Sequence, residues 1–133
     1  AMELPDGQIV TGKTSDLLGS SAALLLNAVK ALGHIPDEIH LIAPSAIEPI
    51  QKLKVNYLGS KNPRLHTDEV LIALSMCAAT DLNAQKALDQ LSKLKGCQAH
   101  TSVMLSRVDI SSFQKLGVDL TSEPIYEHAK IYH

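Results

Sequence analysis

The sequence predicts an α/β domain: a partly parallel mixed sheet covered by helices, with an N-terminal β-hairpin and a helical hairpin inserted between strands. Three observations point there. Short apolar runs of strand character alternate with longer helical stretches, the pattern of a sheet with crossover helices. Aromatic residues make up only 3%, with no Trp and a single Phe113, so the core is built from Leu, Ile, Val and Ala. Such aliphatic side chains suit helices packed on a sheet better than an aromatic-rich sandwich. The 133 residues, 45% of them hydrophobic, have the length of one domain. A chain this long buries roughly two thirds of its unfolded surface and needs no metal or disulfide staple.

Taken in order, MELPDGQIVTG reads as the hairpin, with Pro5-Asp6-Gly7 as its turn and residues 8–11 as the returning strand. Ser15 offers an N-cap to LLGSSAALLLNAVKAL, which Gly33 ends. This helix has almost no polar face, so most of its sides should be buried. After Pro36-Asp37, EIHLIA (38–43) reads as a short apolar strand. Ser45 and Glu48 form a capping box for AIEPIQKL, with Pro49 in its early turns. GSKNPR (59–64) is a loop. Thr67 caps DEVLIALSMCAAT, Asn83 caps AQKALDQLSKLK and Gly96 stops it; the short connection makes the two an antiparallel pair. HTSVML (100–105) is a strand, ISSFQKL a short helix from about Asp109, and VDLT (118–121) a strand. Regular structure ends near Glu123-Pro124, giving one domain over 1–124 and a terminal tail over 125–133 with His128 and His133. Ala1 reads as an expression scar, and the abrupt opening in a strand suggests a fragment.

Composition narrows the function. A net charge of -2 provides no basic face for nucleic acid, and the few aromatics provide few stacking platforms for bases. Cys77 and Cys97 have neither CxxC nor His-spaced partners, so they give no zinc or disulfide signature. No apolar run reaches the ~18 residues of a membrane span, and no signal peptide opens the chain. A cytoplasmic location without membrane or nucleic-acid partners is expected; a homo-oligomer stays open. No cofactor is implied.

GQIVTGKT (7–14) matches the Gly-x4-Gly-Lys-Thr pattern of a phosphate loop. Its variable residues Gln8, Ile9, Val10 and Thr11 favour an extended strand, whose successive N–H groups point in opposite directions and cannot wrap an anion. No apolar strand ends in an Asp that would hold magnesium. The match reads as a coincidence, although Lys13 and Thr14 can still face a ligand.

The densest polar stretch, GSKNPRLHTDE (59–69), leads into a helix N-terminus. Lys61, Asn62, Arg64 and Thr67 are the candidate ligand-binding residues there: free amides, a positive dipole end and a forked guanidinium suit a phosphate or carboxylate. The plainer reading is a capped helix after a solvated turn, with Asp68 and Glu69 complementing the dipole. His66 and His100 are the candidate catalytic residues, as general acid and base. For His100 the plainer reading is a hydrogen-bonded structural His, because the amino end of a parallel strand is the wrong end for a ligand. A metal held by His66, His100 and Asp68 has no spacing signature behind it. Ser20-Ser21 lacks the Gly-x-Ser-x-Gly elbow of a hydrolase and reads as small residues allowing close helix packing.

The blocks LPDGQIVTGKTSDLLGSSAALLLNAVKAL, IEPIQKLKVNYLGSKNPRLHTDEVLIAL, GCQAHTSVMLS and KLGVDLTSEP resemble the C-terminal part of a largely bacterial family, domain of unknown function eighteen forty-six. The likeness runs from Leu4 to about Pro124. It implies a C-terminal domain of a protein several times longer, whose N-terminal portion has its own Gly-rich phosphate-loop-like segment. That portion would be this chain's first partner, and the Lys61–Glu69 loop, suited to a small anionic ligand, would complete a site at the boundary between them. Some members are labelled ATP-dependent peptidases. That chemistry needs a nucleophile–base pair or an H-E-x-x-H zinc motif, and neither is present. The resemblance carries over no catalytic residue. Two readings result: a module completing an anion site on its N-terminal domain, not catalytic by itself, or an enzyme of a phosphorylated or carboxylated small molecule.

Overall fold

The computed structural model describes residues 1–102 and 105–122. The expected boundary at 124 and the tail with His128 and His133 lie outside these residues. The chain is an α/β domain. Its mixed sheet has the order β2-β1-β3-β4, with β1 Met2–Glu3, β2 Ile9–Val10, β3 Gln98–Thr101 and β4 Asp119–Ser122. The strand β1 runs antiparallel to both β2 and β3, whereas β3 and β4 are parallel.

The hairpin forms from local chemistry. Asp6 Oδ1 accepts from the Gln8 N–H, and Gly7 supplies the positive φ of 86° that closes the turn. Strand residues alternate: Met2, Val10 and Ala99 are buried, and Glu3, Ile9, Gln98 and His100 are exposed. Helices therefore cover one face of the sheet, and the other is open.

Five α-helices follow the expected order: α1 Ser20–Leu32, α2 Pro44–Lys52, α3 Thr67–Ala78, α4 Leu82–Asp89 and α5 Arg107–Lys115. Helix α1 buries Ala22, Leu24, Leu25, Ala28 and Val29 among α3, α4 and β2. Helices α3 and α4 pack together as the hairpin between α2 and β3. α5 links the parallel strands β3 and β4.

Several boundaries differ from the expectation. EIHLIA (38–43) forms no strand. Its Leu41 and Ile42 are both buried, consecutive rather than alternating, and Pro36 and Pro44 bracket it. Leu41 and Ile42 join the buried core, and with Ala23 and Leu26 of α1 they border a small recess instead of pairing with a sheet edge. Helix α1 starts later than Ser15, whose Oγ accepts from the Leu17 and Leu18 N–H groups in a local turn. Leu18 then bridges to Leu65 before Gly19 caps the helix. Pro44 at the first position opens α2, ahead of the expected Ser45 cap. Asp81 rather than Asn83 caps α4, accepting from the Asn83 and Ala84 N–H groups, and a 3-10 turn at Leu91–Leu94 replaces that helix's expected last turn. His66 rather than Thr67 is the N-cap of α3. The strand expected over 100–105 is β3 at Gln98–Thr101, ending before Ser102; residues 103–104 lie outside the description.

Candidate functional site

The polar stretch 59–69 is held by its own backbone contacts. Asn62 Oδ1 accepts from the Arg64 N–H at 3.0 Å, and Ser60 Oγ accepts from the Asn62 N–H at 3.2 Å. Arg64 Nε donates to the Ser15 carbonyl at 2.6 Å, and Leu65 N–H donates to Leu17 O at 3.0 Å. The stretch thus lies alongside residues 15–19, which directly follow Lys13 and Thr14. Lys61 and Asn62 are exposed and Arg64 is half-buried.

Three further residues, one of them distant in sequence, fix the start of α3. Glu69 Oε1 accepts from the His66 N–H and from Lys54 Nζ, both at 2.8 Å, and Lys54 also donates to the Arg64 carbonyl at 2.6 Å. Asp109 Oδ1, from the first turn of α5, accepts from both the N–H and the hydroxyl of Thr67, at 3.1 and 3.0 Å. Thr67 is fully buried, so its hydroxyl ties α3 to α5. Asp109 Oδ2 is 3.7 Å from His66 Nδ1. An imidazole beside a carboxylate is oriented by it, and is attracted to it when protonated.

A cleft of about 410 Å³ opens at the carboxyl end of β3, where the chain leaves for α5. Lys13, Thr14, Ser20, Ser21, His100 and Ser102 supply its polar lining, and Phe113 and Leu24 are among its apolar lining. No acidic residue is among the described residues that line it. Gly12 explains the construction. A Cβ there would lie 2.6 Å from the Ser20 carbonyl and overlap the Leu24 amide, so only glycine lets this backbone rest on the first turn of α1. Lys13 and Thr14 are thereby carried to the start of that helix. Helix α1 has no side-chain cap and no acid in its first turn. Its leading N–H groups and dipole therefore favour an anion. In α/β sheets, ligands collect at the carboxyl ends of parallel strands. His100 belongs to that end because β3 stops at Thr101, which corrects the expectation that it opens a longer strand.

The GQIVTGKT pattern is not folded as a phosphate loop. Ile9 and Val10 are in β2, paired with β1, and the next helix begins at Ser20 rather than at Lys13.

The candidate residues are split between two places, and of them only His100 lines the cleft. Arg64, His66 and Thr67 gather at the start of α3, with Lys61 and Asn62 in the exposed turn before it. His100 is on the sheet, its Nδ1 2.9 Å from Thr121 Oγ1. The three residues of the enzyme reading, Arg64, His66 and His100, have different partners: Ser15, Asp109 and Thr121. Lys54 and Asp109 escaped the sequence reading. The one signal for Lys54 is its place as a single charge inside the apolar run LKVNYL. Nothing local marks Asp109, whose partner is 42 positions away.

Fold and cleft together define an α/β domain with a recess at a parallel-strand end whose described lining residues include no acid. A family model described as "Domain of unknown function DUF1846, C-terminal" matches residues 1–132, and the chain belongs to that family. It is 61% identical over 132 residues to a UPF0371 protein of Corynebacterium diphtheriae, 59% to one of Corynebacterium urealyticum and 52% to one of Streptococcus uberis. Each match takes in 99% of this chain but 27% of the relative, so the chain spans about a quarter of the length of these proteins. No helix among the described residues is long and apolar enough to cross a membrane.

Proposed function

We propose that this chain is the ligand-completing C-terminal module of a longer protein, and that its cleft takes the phosphate or carboxylate group of a small molecule where the module meets the preceding domain. The observation that carries this reading is the seating of Gly12 on α1, which sets Lys13 and Thr14 beside the uncapped Ser20-Ser21 turn in a cleft with no acid among its described lining residues. Pockets are common at domain boundaries, and one cation with free amides supplies half a site rather than a whole one. Lys61, Asn62 and Arg64 do not line the cleft; Arg64 Nε is bonded to the Ser15 carbonyl, one residue after Thr14, and in this reading the three would meet an outer part of the ligand. The free thiols of Cys77 and Cys97 support a cytoplasmic setting, where thiols stay reduced.

Calorimetry of the full-length protein with pyrophosphate tests it. Lys13→Ala should weaken binding about tenfold, the ~1.4 kcal/mol of one exposed charge-assisted contact. Unchanged affinity in Lys13→Ala would place the anion elsewhere.

A second reading, general acid–base chemistry on the bound molecule, is favoured by the carboxylate of Asp109 beside His66. It requires His66→Gln to abolish turnover of a phosphorylated or carboxylated substrate while leaving its binding intact; a variant that still turns over eliminates it.

A further inference from the structure

After α2 the chain widens into a π-helical turn, Leu53–Tyr57, closed by the Leu58 N–H donating to Leu53 O at 3.0 Å. Its polarity is inverted. Lys54, its one charged residue, is 7% exposed and faces inward onto Arg64 O and Glu69. Leu53, Val55, Tyr57 and Leu58 are 49%, 40%, 70% and 71% exposed. A solvated turn would do the opposite, because a Lys head belongs in water and four large apolar side chains do not. The inward hydrogen bonds of Lys54 hold the turn in the orientation that presents those side chains outward. Four of them within six residues form a patch of the kind that marks an interaction surface.

We infer that this inverted turn is the surface on which the remainder of the same polypeptide docks. About three quarters of each relative's length lies outside the matched region, and that portion is tethered to this domain at high effective concentration. A second copy fits less well. A two-fold contact sets a patch against itself, and here it would bring together the exposed Lys52 and Lys61 of both copies, which flank the turn. The inference rests on the reading of the chain as a module of a longer protein, and not on what the cleft binds.

Hydroxyl-radical footprinting of the unmodified full-length protein tests it, with Tyr57 and Leu58 as the probes and Met76 and Leu82, 71% and 84% exposed, as references. Tyr57 and Leu58 should react at least tenfold more slowly than in the same protein unfolded in urea, at every protein concentration. Amine cross-linking of Lys52 and Lys61 should reach residues of the same chain outside the 133. Reaction within twofold of the unfolded rate overturns the inference. So does protection that disappears on dilution, or cross-links that join isotopically light and heavy copies, since either assigns the surface to a second copy. Pyrophosphate binding by Lys13→Ala reports on the cleft alone, so the two readings fail separately.

Discussion

Asp109 is the residue whose loss should be felt most for its size. It accepts both polar hydrogens of a Thr67 that has no access to water. Removing one partner of a buried hydrogen bond costs the desolvation of the group left behind, ~1–3 kcal/mol each. Asp109→Ala should therefore lower the urea stability of the 133-residue chain by about 3 kcal/mol. Asp109→Asn keeps an acceptor oxygen and should cost about 1 kcal/mol. Equal losses in the two variants would mean that the charge toward His66, rather than Thr67, matters. Cys97 makes a second residue-scale case. Burial pushes its thiol pKa up, and only 5% of it is exposed. The folded protein then holds this proton at a pH where the unfolded chain has lost it. The stabilisation is complete below the unfolded thiol's pKa and is lost as pH rises through the folded one. Between pH 7 and pH 10 the wild type should lose more stability than Cys97→Ala, measured as the shift in urea midpoint. Identical shifts would show that Cys97 does not titrate differently in the two states.

Among elements, the contact between the hairpin's exit and α1 is the least forgiving. Gly12→Ala sets a Cβ into the backbone of Ser20 and Leu24, where no side chain can rotate away. Overpacking of this kind costs ~1–3 kcal/mol, and here it also moves Lys13 off the helix start. Thermal unfolding should fall, and pyrophosphate affinity in the full-length protein should fall with it; lost stability with intact binding would separate the cleft from this packing. Asp81→Ala removes the cap of α4 and should cost ~1 kcal/mol, with no effect on binding. These elements also mark where sequence reading succeeds. The hairpin, five helices and both strands of the parallel pair were legible because their signals are local: Pro5-Asp6-Gly7, helical periodicity, and the Gly33 stop. The 38–43 segment misled because consecutive apolar residues record burial, not pairing, and α1 used that burial. At α3 and α4 the caps slipped by one and two residues where neighbouring polar side chains competed, as Asp81 did with Asn83, and at α1 the cap moved four residues, from Ser15 to Gly19. Of the candidate site, the anchoring of Arg64 and the setting of His66 were not legible, because Ser15 and Asp109 are their partners only in the fold. The bounds of β3 decided which end of the strand His100 occupies, and strand limits two to four residues earlier than expected were enough to reverse the reading.

At the scale of the molecule, one buried cluster runs from Met2 and Val10 through α1 and α3 to Phe113 and Val118, so sheet and helices share a core. Phe113 is the largest of its fully buried side chains, at 1% exposed, and it also lines the cleft. A domain of this length with one core should unfold in a single cooperative step. Phe113→Ala would remove ~3–5 kcal/mol, a large share of the ~5–15 kcal/mol that such domains possess, so the milder Phe113→Leu is the better probe. Two reporters can follow the transition: far-UV circular dichroism, which senses the helices, and alkylation of Cys97, which is buried beside β3. Their urea midpoints should coincide in the wild type and shift together in Phe113→Leu. If Cys97 becomes reactive at a lower urea concentration than the helices melt, the amino end of β3, which Cys97 precedes, opens on its own. The sheet would then be a separate, less stable unit that opens ahead of the helical layer, and unfolding would not be a single step despite the shared core.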